Sequence, residues 1–172
     1  MAIIFPNSQT GEVVGESWRI TSSFTGDNNF IGGNSLVNWE KSDDVYGGGN
    51  NTANILSESN GSFTFNTAYL GWYAVYWHHY IYHNDNERYN EMALYVSWNS
   101  GANWDIHGWA TAHLSPNTSA NYNQCASCMS TVNGTSAARL RFGISSLNNA
   151  STNYGDTTGQ GTGFTIIRIA DN

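Results

Sequence analysis

A chain of 172 residues, 40% hydrophobic and 14% aromatic but only 11% charged, can bury the core of one domain and does not have a disordered composition. The net charge is −7, and the basic residues are scattered along the chain: Arg19, Lys41, Arg88, Arg139, Arg141 and Arg168. This distribution argues against nucleic acid or an anionic membrane as a partner. No apolar run approaches the roughly 18 residues of a membrane span, and the first six residues lack the features of a signal peptide, so we expect synthesis in a cytoplasm.

The chain starts with a short apolar cluster, Ile3, Ile4 and Phe5, which is followed by Pro6 and a polar Asn-Ser-Gln-Thr-Gly stretch. Side chains of this size gain about 1.5–3 kcal/mol each on full burial, so the cluster needs a partner surface. Two interpretations stay open: residues 1–16 are an arm that attaches the protein to a partner, or they fold back as an edge strand of their own sheet. The domain proper is expected at residues 17–172.

Beyond the arm, short stretches of alternating polar and apolar residues recur between clusters of Gly, Asn, Asp and Ser, and helical periodicity is almost absent. This pattern predicts an all-β domain, a sandwich of two packed sheets or a barrel. The predicted strands are Glu16–Phe24, Ser62–Thr67, Glu91–Asn99, Asp105–Leu114, Ala138–Leu147 and Gly163–Ala170. The apolar residues expected to face the core are Trp18, Ile20, Phe24, Phe63, Phe65, Met92, Leu94, Val96, Trp98, Leu140, Phe142, Ile144, Phe164 and Ile166.

The segment Gly71–His83 differs from these strands because large side chains occupy both of its faces. In an isolated sandwich one face of a strand lies in the core and the other meets solvent, so aromatic residues on both faces indicate that a second surface covers the outer one. We predict that another subunit supplies this cover; the alternative is a long loop of the same chain. The predicted subunit interface consists of Trp72, Tyr73, Tyr76, Trp77, Tyr80 and Tyr82.

A second aromatic segment, Trp98-Asn-Ser-Gly-Ala-Asn-Trp-Asp105, contains a hairpin-like turn. Rings flanked by Asn and Asp can stack on sugars while the polar side chains bond to hydroxyl groups, so Trp104, Asn103 and Asp105 form a candidate glycan contact. The favoured alternative is that Trp98 packs in the core and Trp104 closes the hairpin, because buried aromatic residues dominate core energetics.

No set of residues indicates catalysis or a metal site, and we expect neither an enzyme nor a cofactor. The histidines match no catalytic or metal-binding pattern, and His79 and His83 lie about 13 Å apart in an extended strand, too far to bind one ion. We interpret all five as surface or interface side chains: His78, His79, His83, His107 and His113.

Cys125 and Cys128 form one Cys-Ala-Ser-Cys pair, which is half of a four-ligand zinc site and has no second pair nearby. We interpret them as free thiols or a local disulfide in a loop, with a metal or redox role as the alternative. The acidic groups are expected to be solvated, although a calcium ion stays open for Asp43 and Asp44 or for Asp85, Glu87 and Glu91.

Three motifs resemble the tumour-necrosis-factor and complement globular-head family, over about Ile31 to Ile169. They are Asn60-Gly-Ser-Phe-Thr-Phe with Gly71-Trp-Tyr-Ala-Val-Tyr, then Leu94–Gly101, then Gly161-Thr-Gly-Phe-Thr-Ile-Ile. The resemblance implies a jelly-roll β-sandwich that assembles as a compact homotrimer. The family's roles in immune signalling are not carried over, because the sequence has no collagen repeat.

The start of the chain, Met1–Gly11, resembles that of short virion proteins of tailed phages, marine ones especially. This resemblance implies a virion protein made in the host cytoplasm, whose partners are other copies of itself and neighbouring virion proteins. We therefore expect a homotrimer that decorates the phage head, with Ala2–Glu16 as its attachment arm. The alternative is the receptor-binding or glycan-binding tip of a tail fibre, with a host surface glycan as the ligand.

Overall fold

The computed structural model describes residues 14–25, 38–42, 54–83, 89–113, 122–145, 152–159 and 161–172. These residues form twelve β-strands and one 3₁₀ turn at Thr67–Tyr69. In chain order the strands are β1 (Gly15–Ile20), β2 (Phe24–Thr25), β3 (Trp39–Lys41), β4 (Leu56–Ser59), β5 (Ser62–Phe65), β6 (Gly71–His83), β7 (Tyr89–Ser97), β8 (Asp105–His113), β9 (Tyr122–Gly134), β10 (Arg139–Ser145), β11 (Thr152–Asn153) and β12 (Gly163–Ala170).

The strands form two antiparallel sheets that enclose one core. Sheet A has the order β2-β11-β6-β12-β1-β3, with β9 on the other edge of β6, and sheet B has the order β4-β5-β10-β7-β8. The predicted all-β jelly-roll sandwich is therefore confirmed.

Strand β6 is the centre of sheet A. It pairs with β9 over its entire length, while its other edge is shared by β12 and β11. In the gap between those two strands, the hydroxyl group of Thr162 accepts a hydrogen bond from Tyr80 N (3.1 Å) and donates one to Tyr80 O (3.2 Å). The Thr162 side chain thus satisfies Tyr80 N where no strand does so, while Tyr80 O also accepts a hydrogen bond from Tyr154 N at 2.9 Å.

Aromatic rings from both sheets fill the centre of the core. The ring of Trp39 lies 5.3 to 6.0 Å from the rings of Phe63, Trp77, Phe142 and Phe164, centroid to centroid. Phe142 of sheet B stacks on Phe164 of sheet A with centroids 4.2 Å apart. Such pairs add about 0.5–1.5 kcal/mol each beyond the burial of their area, so this cluster joins the two sheets.

The predicted strands are present in the described residues, with some ends shifted. The residues predicted to face the core are buried, apart from Phe24, which is half-buried against the core, and Trp98, which is 42% exposed. The placement of Trp98 in the core is wrong because β7 ends at Ser97. There the Ser97 hydroxyl accepts a hydrogen bond from Gly101 N at 2.8 Å, and the chain turns before Trp98 can continue the alternation.

Strand β9 was not among the predicted strands, and neither were the short β3 and β4. Its inward positions carry one large apolar side chain, Val132, among small ones that give no clear apolar alternation: Ala126, Cys128, Ser130 and Gly134. The interpretation of Cys125 and Cys128 as loop residues is wrong, because both lie in β9. Three residues apart in one strand, their Cα atoms are about 10 Å apart, beyond the reach of a disulfide, and Cys128 is a free thiol.

Strand β1 begins at Gly15, so the last two residues of the predicted arm, Gly15 and Glu16, belong to this strand. Glu16 is only 3% exposed and points into the sandwich. Its carboxylate accepts hydrogen bonds from Ile55 N (3.0 Å) and Leu56 N (2.9 Å), which tie the start of β4 in sheet B to β1 in sheet A. It also pairs with Lys41 Nζ at 3.0 Å and accepts from Trp18 Nε1 at 2.8 Å.

Candidate interaction surfaces

The alternation of β6 divides the predicted subunit interface between two faces. Tyr73 and Trp77 point inward and are completely buried in the core, so their assignment to the interface is wrong. Trp72 and Tyr76 point outward and are 43% and 45% exposed. The remaining two residues, Tyr80 and Tyr82, occupy the same outward set and are half-buried.

Exposed apolar side chains of the neighbouring strands flank this aromatic row, and we call the surface that they share the outer face of sheet A. Met129 of β9 lies opposite Tyr76 in register and is 73% exposed. On the other side of β6, Ile167 of β12 lies opposite Ala74 and is 38% exposed. Ile169, two residues further along β12, is 39% exposed.

The centre of this outer face has no charged side chain. The outward positions of β6, β12 and residues 127–133 of β9 contain no Asp, Glu, Lys or Arg. Arg19 Nε pairs with Glu40 Oε1 at 2.8 Å on β1 and β3, towards the sheet edge, and Arg168, near the end of β12, pairs with Asp171 beyond that strand. Depletion of charge with enrichment of aromatic residues and Met distinguishes the centre of a protein–protein interface from ordinary surface.

The candidate glycan residues lie together in the turn between β7 and β8 and at the start of β8. Asn103 and Asp105 are exposed, and the backbone N–H of Asn103 donates to Oδ1 of Asn99 at 2.9 Å. Trp104 is half-buried, because the guanidinium group of Arg141 covers one face of its ring at 4.3 Å from the centroid. Trp98 is the more exposed ring of this turn, at 42%, and among the described residues its ring contact is an edge contact with His107.

Two further apolar side chains of sheet B were not identified from the sequence. Ile106 and Trp109 of β8 are 58% and 64% exposed. The register between β7 and β8 shifts between Leu94 and Tyr95, which breaks the simple alternation along β8. A sequence pattern cannot locate such an irregularity, so the face on which these residues lie was not predictable.

The histidines do not share one environment. His107 is exposed, and His78 is half-buried on the outer face of sheet A, where its ring stacks on Tyr76 with centroids 5.8 Å apart. His79 is completely buried between the sheets, so its interpretation as a surface or interface residue is wrong. Burial is the main cause that lowers its pKa to about 4. The side chains of His83 and His113 lie outside the described residues.

Several other candidate residues also fall outside the described part of the chain: Ile3, Ile4, Phe5, Asp43, Asp44, Asp85 and Glu87. Among the residues that are described, no group of three or more His, Cys, Asp or Glu side chains could hold a metal ion. In the same residues, no helix is long and apolar enough to cross a membrane.

Comparison with protein-family models and with curated protein sequences finds no match. Solved structures do match. The Eiger TNF from S. frugiperda has a TM-score of 0.59 and 12% identity, and the match covers 93% of this chain and 94% of that chain. Murine APRIL at pH 5.0 has a TM-score of 0.59 and 8% identity, with 91% of this chain and 99% of that chain covered. Both are TNF-family jelly rolls, and at these identities the likeness establishes a TNF-like jelly-roll fold for this chain.

Proposed function

We propose that this protein is a non-enzymatic structural component of a phage virion, which assembles as a homotrimer through the outer face of sheet A and decorates the head. The observation that carries the proposal is the uncharged face formed by Trp72, Tyr76, Met129 and Ile167. Isolated soluble domains rarely expose contiguous apolar surface of this kind, and a second copy of the same chain is a partner that covers it symmetrically. The sequence resemblance to homotrimeric jelly rolls supports the same arrangement.

Two tryptophans with nearly equal exposure allow a matched test of the self-association. Trp72 on the outer face of sheet A is 43% exposed, and Trp98 in the turn after β7 is 42% exposed. We expect light scattering at micromolar concentration to give three times the 18.9 kDa chain mass for the wild type and for Trp98→Glu. Trp72→Glu should give a folded monomer, because a carboxylate would be buried without a partner. A wild-type monomer, or a Trp72→Glu trimer, would contradict the proposed interface.

Attachment to the particle is a separate part of the proposal and depends on the arm that contains Ile3, Ile4 and Phe5. Three arms on one trimer act together, so modest burial of each cluster suffices for binding. We expect deletion of residues 2–11 to leave the trimer and its melting temperature unchanged but to abolish binding to particles that lack the protein. A marked fall in melting temperature would show instead that the segment is an edge strand. Antibody labelling of intact particles tests the head location.

The second candidate function is that of the glycan-binding tip of a tail fibre. The partly exposed ring of Trp98 beside the exposed Asn99 favours this function. Because Arg141 covers one face of Trp104, we expect any sugar to stack on Trp98. Trp98→Ala should then abolish binding to host surface glycans in a glycan-array measurement, while Trp72→Glu should not change the binding of each protomer. Absence of binding by the wild-type protein would exclude this alternative.

A further inference from the structure

Three polar residues lie together in the otherwise apolar core, near the end of the sandwich where β11 pairs with β6. His79 of β6, Asn90 of β7 and Asn153 of β11 are each completely buried. His79 and Asn153 belong to sheet A and Asn90 belongs to sheet B, so the cluster joins the two sheets. Core positions with no exposure are usually apolar, because an unpaired polar group there costs free energy.

The hydrogen bonds of the cluster define the protonation state of the imidazole. Nε2 of His79 lies 2.6 Å from Oδ1 of Asn153, and an amide oxygen only accepts, so Nε2 carries the hydrogen. Nδ1 of His79 lies 2.6 Å from Nδ2 of Asn90, and an amide nitrogen only donates, so Nδ1 carries no hydrogen and accepts the bond. Both bonds are therefore satisfied only when the ring is neutral.

A second proton would disrupt this arrangement. It would place an N–H group on Nδ1 directly against the N–H₂ group of Asn90, so that two donors would meet at 2.6 Å. Rotation of the Asn90 amide would bring its Oδ1 atom, which has no hydrogen-bond partner in the described structure, to the imidazole. Even so, a positive charge would remain in the core, where an unpaired ion is costly.

Among the residues that the structure describes, no acidic group faces the ring to compensate that charge. The elements around it contribute Asn90 from β7, Asn153 from β11 and, at the paired position of β9, Ala126. Glu91, the residue after Asn90, takes the opposite face of sheet B by strand alternation. Within the described residues, the one titratable group that acts electrostatically on the ring is His78 of the same strand, and it also opposes protonation.

We propose that His79, Asn90 and Asn153 form an acid-sensitive lock, which holds β11 on β6 and joins the two sheets at neutral pH and opens when the imidazole is protonated. Strand β11 is well placed to respond because it is only two residues long and pairs with β6 at just Ile81 and Tyr82. The lock does not depend on self-association, because all three of its side chains lie inside one protomer.

The size of the effect follows from the proton linkage. The pKa of His79 is about 4 in the closed state, against an ordinary value of 6.5 in an opened one. The closed state therefore loses stability as the pH falls below 6.5. The equilibrium constant for local opening should rise roughly 30-fold between pH 7.5 and pH 5.

Hydrogen exchange measured by mass spectrometry on the whole chain, corrected for intrinsic rates, tests the lock. For peptides that cover β11 and the end of β6, we expect the equilibrium constant for local opening to be about 30-fold larger at pH 5 than at pH 7.5 in the wild type. The control His107→Gln, whose ring is exposed in the wild type, should show the same rise. In His79→Gln the opening should not depend on pH. Equal pH dependence in His79→Gln and wild type, or none in the wild type, would overturn the proposal.

A second measurement covers the case in which His79→Gln fails to fold. Nitrogen chemical shifts of the wild-type imidazole should show hydrogen on Nε2 at neutral pH and titration below pH 5. An ordinary pKa near 6.5, or hydrogen on Nδ1, would contradict the lock.

Discussion

A single carboxylate, Glu16, shows how a buried charge can hold two sheets together. It has four donors within 3.0 Å, namely two backbone N–H groups of sheet B, the indole of Trp18 and the ammonium group of Lys41. Burial of a charge is costly unless it is paired and hydrogen-bonded. Glu16 meets this requirement because residues 41, 55 and 56 approach it from different parts of the chain.

Replacement of Glu16 should therefore be severe. We expect Glu16→Ala to lower the free energy of unfolding by about 3–5 kcal/mol, since it leaves two buried backbone donors without their acceptor and removes the carboxylate that pairs with Lys41. Urea denaturation measures the loss. The control is Glu58→Ala, which removes one half-exposed hydrogen bond to Gly61 N and should cost about 1 kcal/mol. Similar losses in the two variants would contradict the role given to Glu16.

The thiol of Cys128 offers a second test at the residue scale. Burial raises its pKa to about 11, from an ordinary value of 9.0, so the reactive thiolate is scarcer in the folded protein. In a Cys125→Ser background, we expect the single thiol to react with a disulfide reagent at pH 8 roughly 100-fold more slowly in the native protein than in urea. Equal rates would place Cys128 at the surface.

At the scale of elements, the pairing of β6 with β9 depends on side-chain size. Tyr73 and Trp77 need space on the inward side of β6, and β9 leaves that space by placing small residues beside them. Gly134 is a tight position, because an added Cβ would lie 2.6 Å from the Phe65 ring and 3.0 Å from Tyr73. The same small residues that make β9 hard to recognise in the sequence allow the aromatic strand to pack.

We expect Gly134→Ala to lower the free energy of unfolding by about 1–3 kcal/mol, because Phe65 and Tyr73 are buried and cannot move aside without strain. Gly159→Ala is the matched control: its nearest neighbour would be an Asp156 oxygen at 3.7 Å, and we expect a change within about 0.5 kcal/mol. Chemical denaturation of both variants and of the wild type measures the two changes in the free energy of unfolding. An unchanged Gly134→Ala protein would mean that β9 sits further from sheet B than the structure indicates.

For the whole molecule, folding and assembly should be coupled through the outer face of sheet A. A trimer that binds only folded chains is stabilised by mass action, so its melting temperature rises with protein concentration. We expect this rise in the wild type over a hundredfold range of concentration, measured by scanning calorimetry. The melting temperature of Trp72→Glu should not depend on concentration. A wild-type melting temperature independent of concentration would contradict the proposed assembly.

The sequence by itself determined the fold class, most of the strands and the aromatic segment at residues 71–83. Alternation and turn residues are local signals, and they lie within short windows of the chain. The hairpin turn at Asn99–Ala102 and the strands around Phe63, Leu94 and Phe142 were predictable for this reason. The presence of bulky residues on both faces of β6 was also visible, although all six aromatic residues were assigned to the interface and two of them, Tyr73 and Trp77, belong to the core.

Only the tertiary structure decided which partner each side chain meets. It placed Tyr73 and Trp77 in the core and Trp72 and Tyr76 on the outer face. Which of the two alternating sets of β6 side chains faces sheet B depends on packing between distant segments. It also buried Glu16, whose partners lie as far away as residue 56. The His79 cluster joins β6, β7 and β11, and no pattern within any one of these strands reveals that their polar side chains meet. Contacts of this kind depend on sheet order and register, which a single sequence does not specify without the packed core.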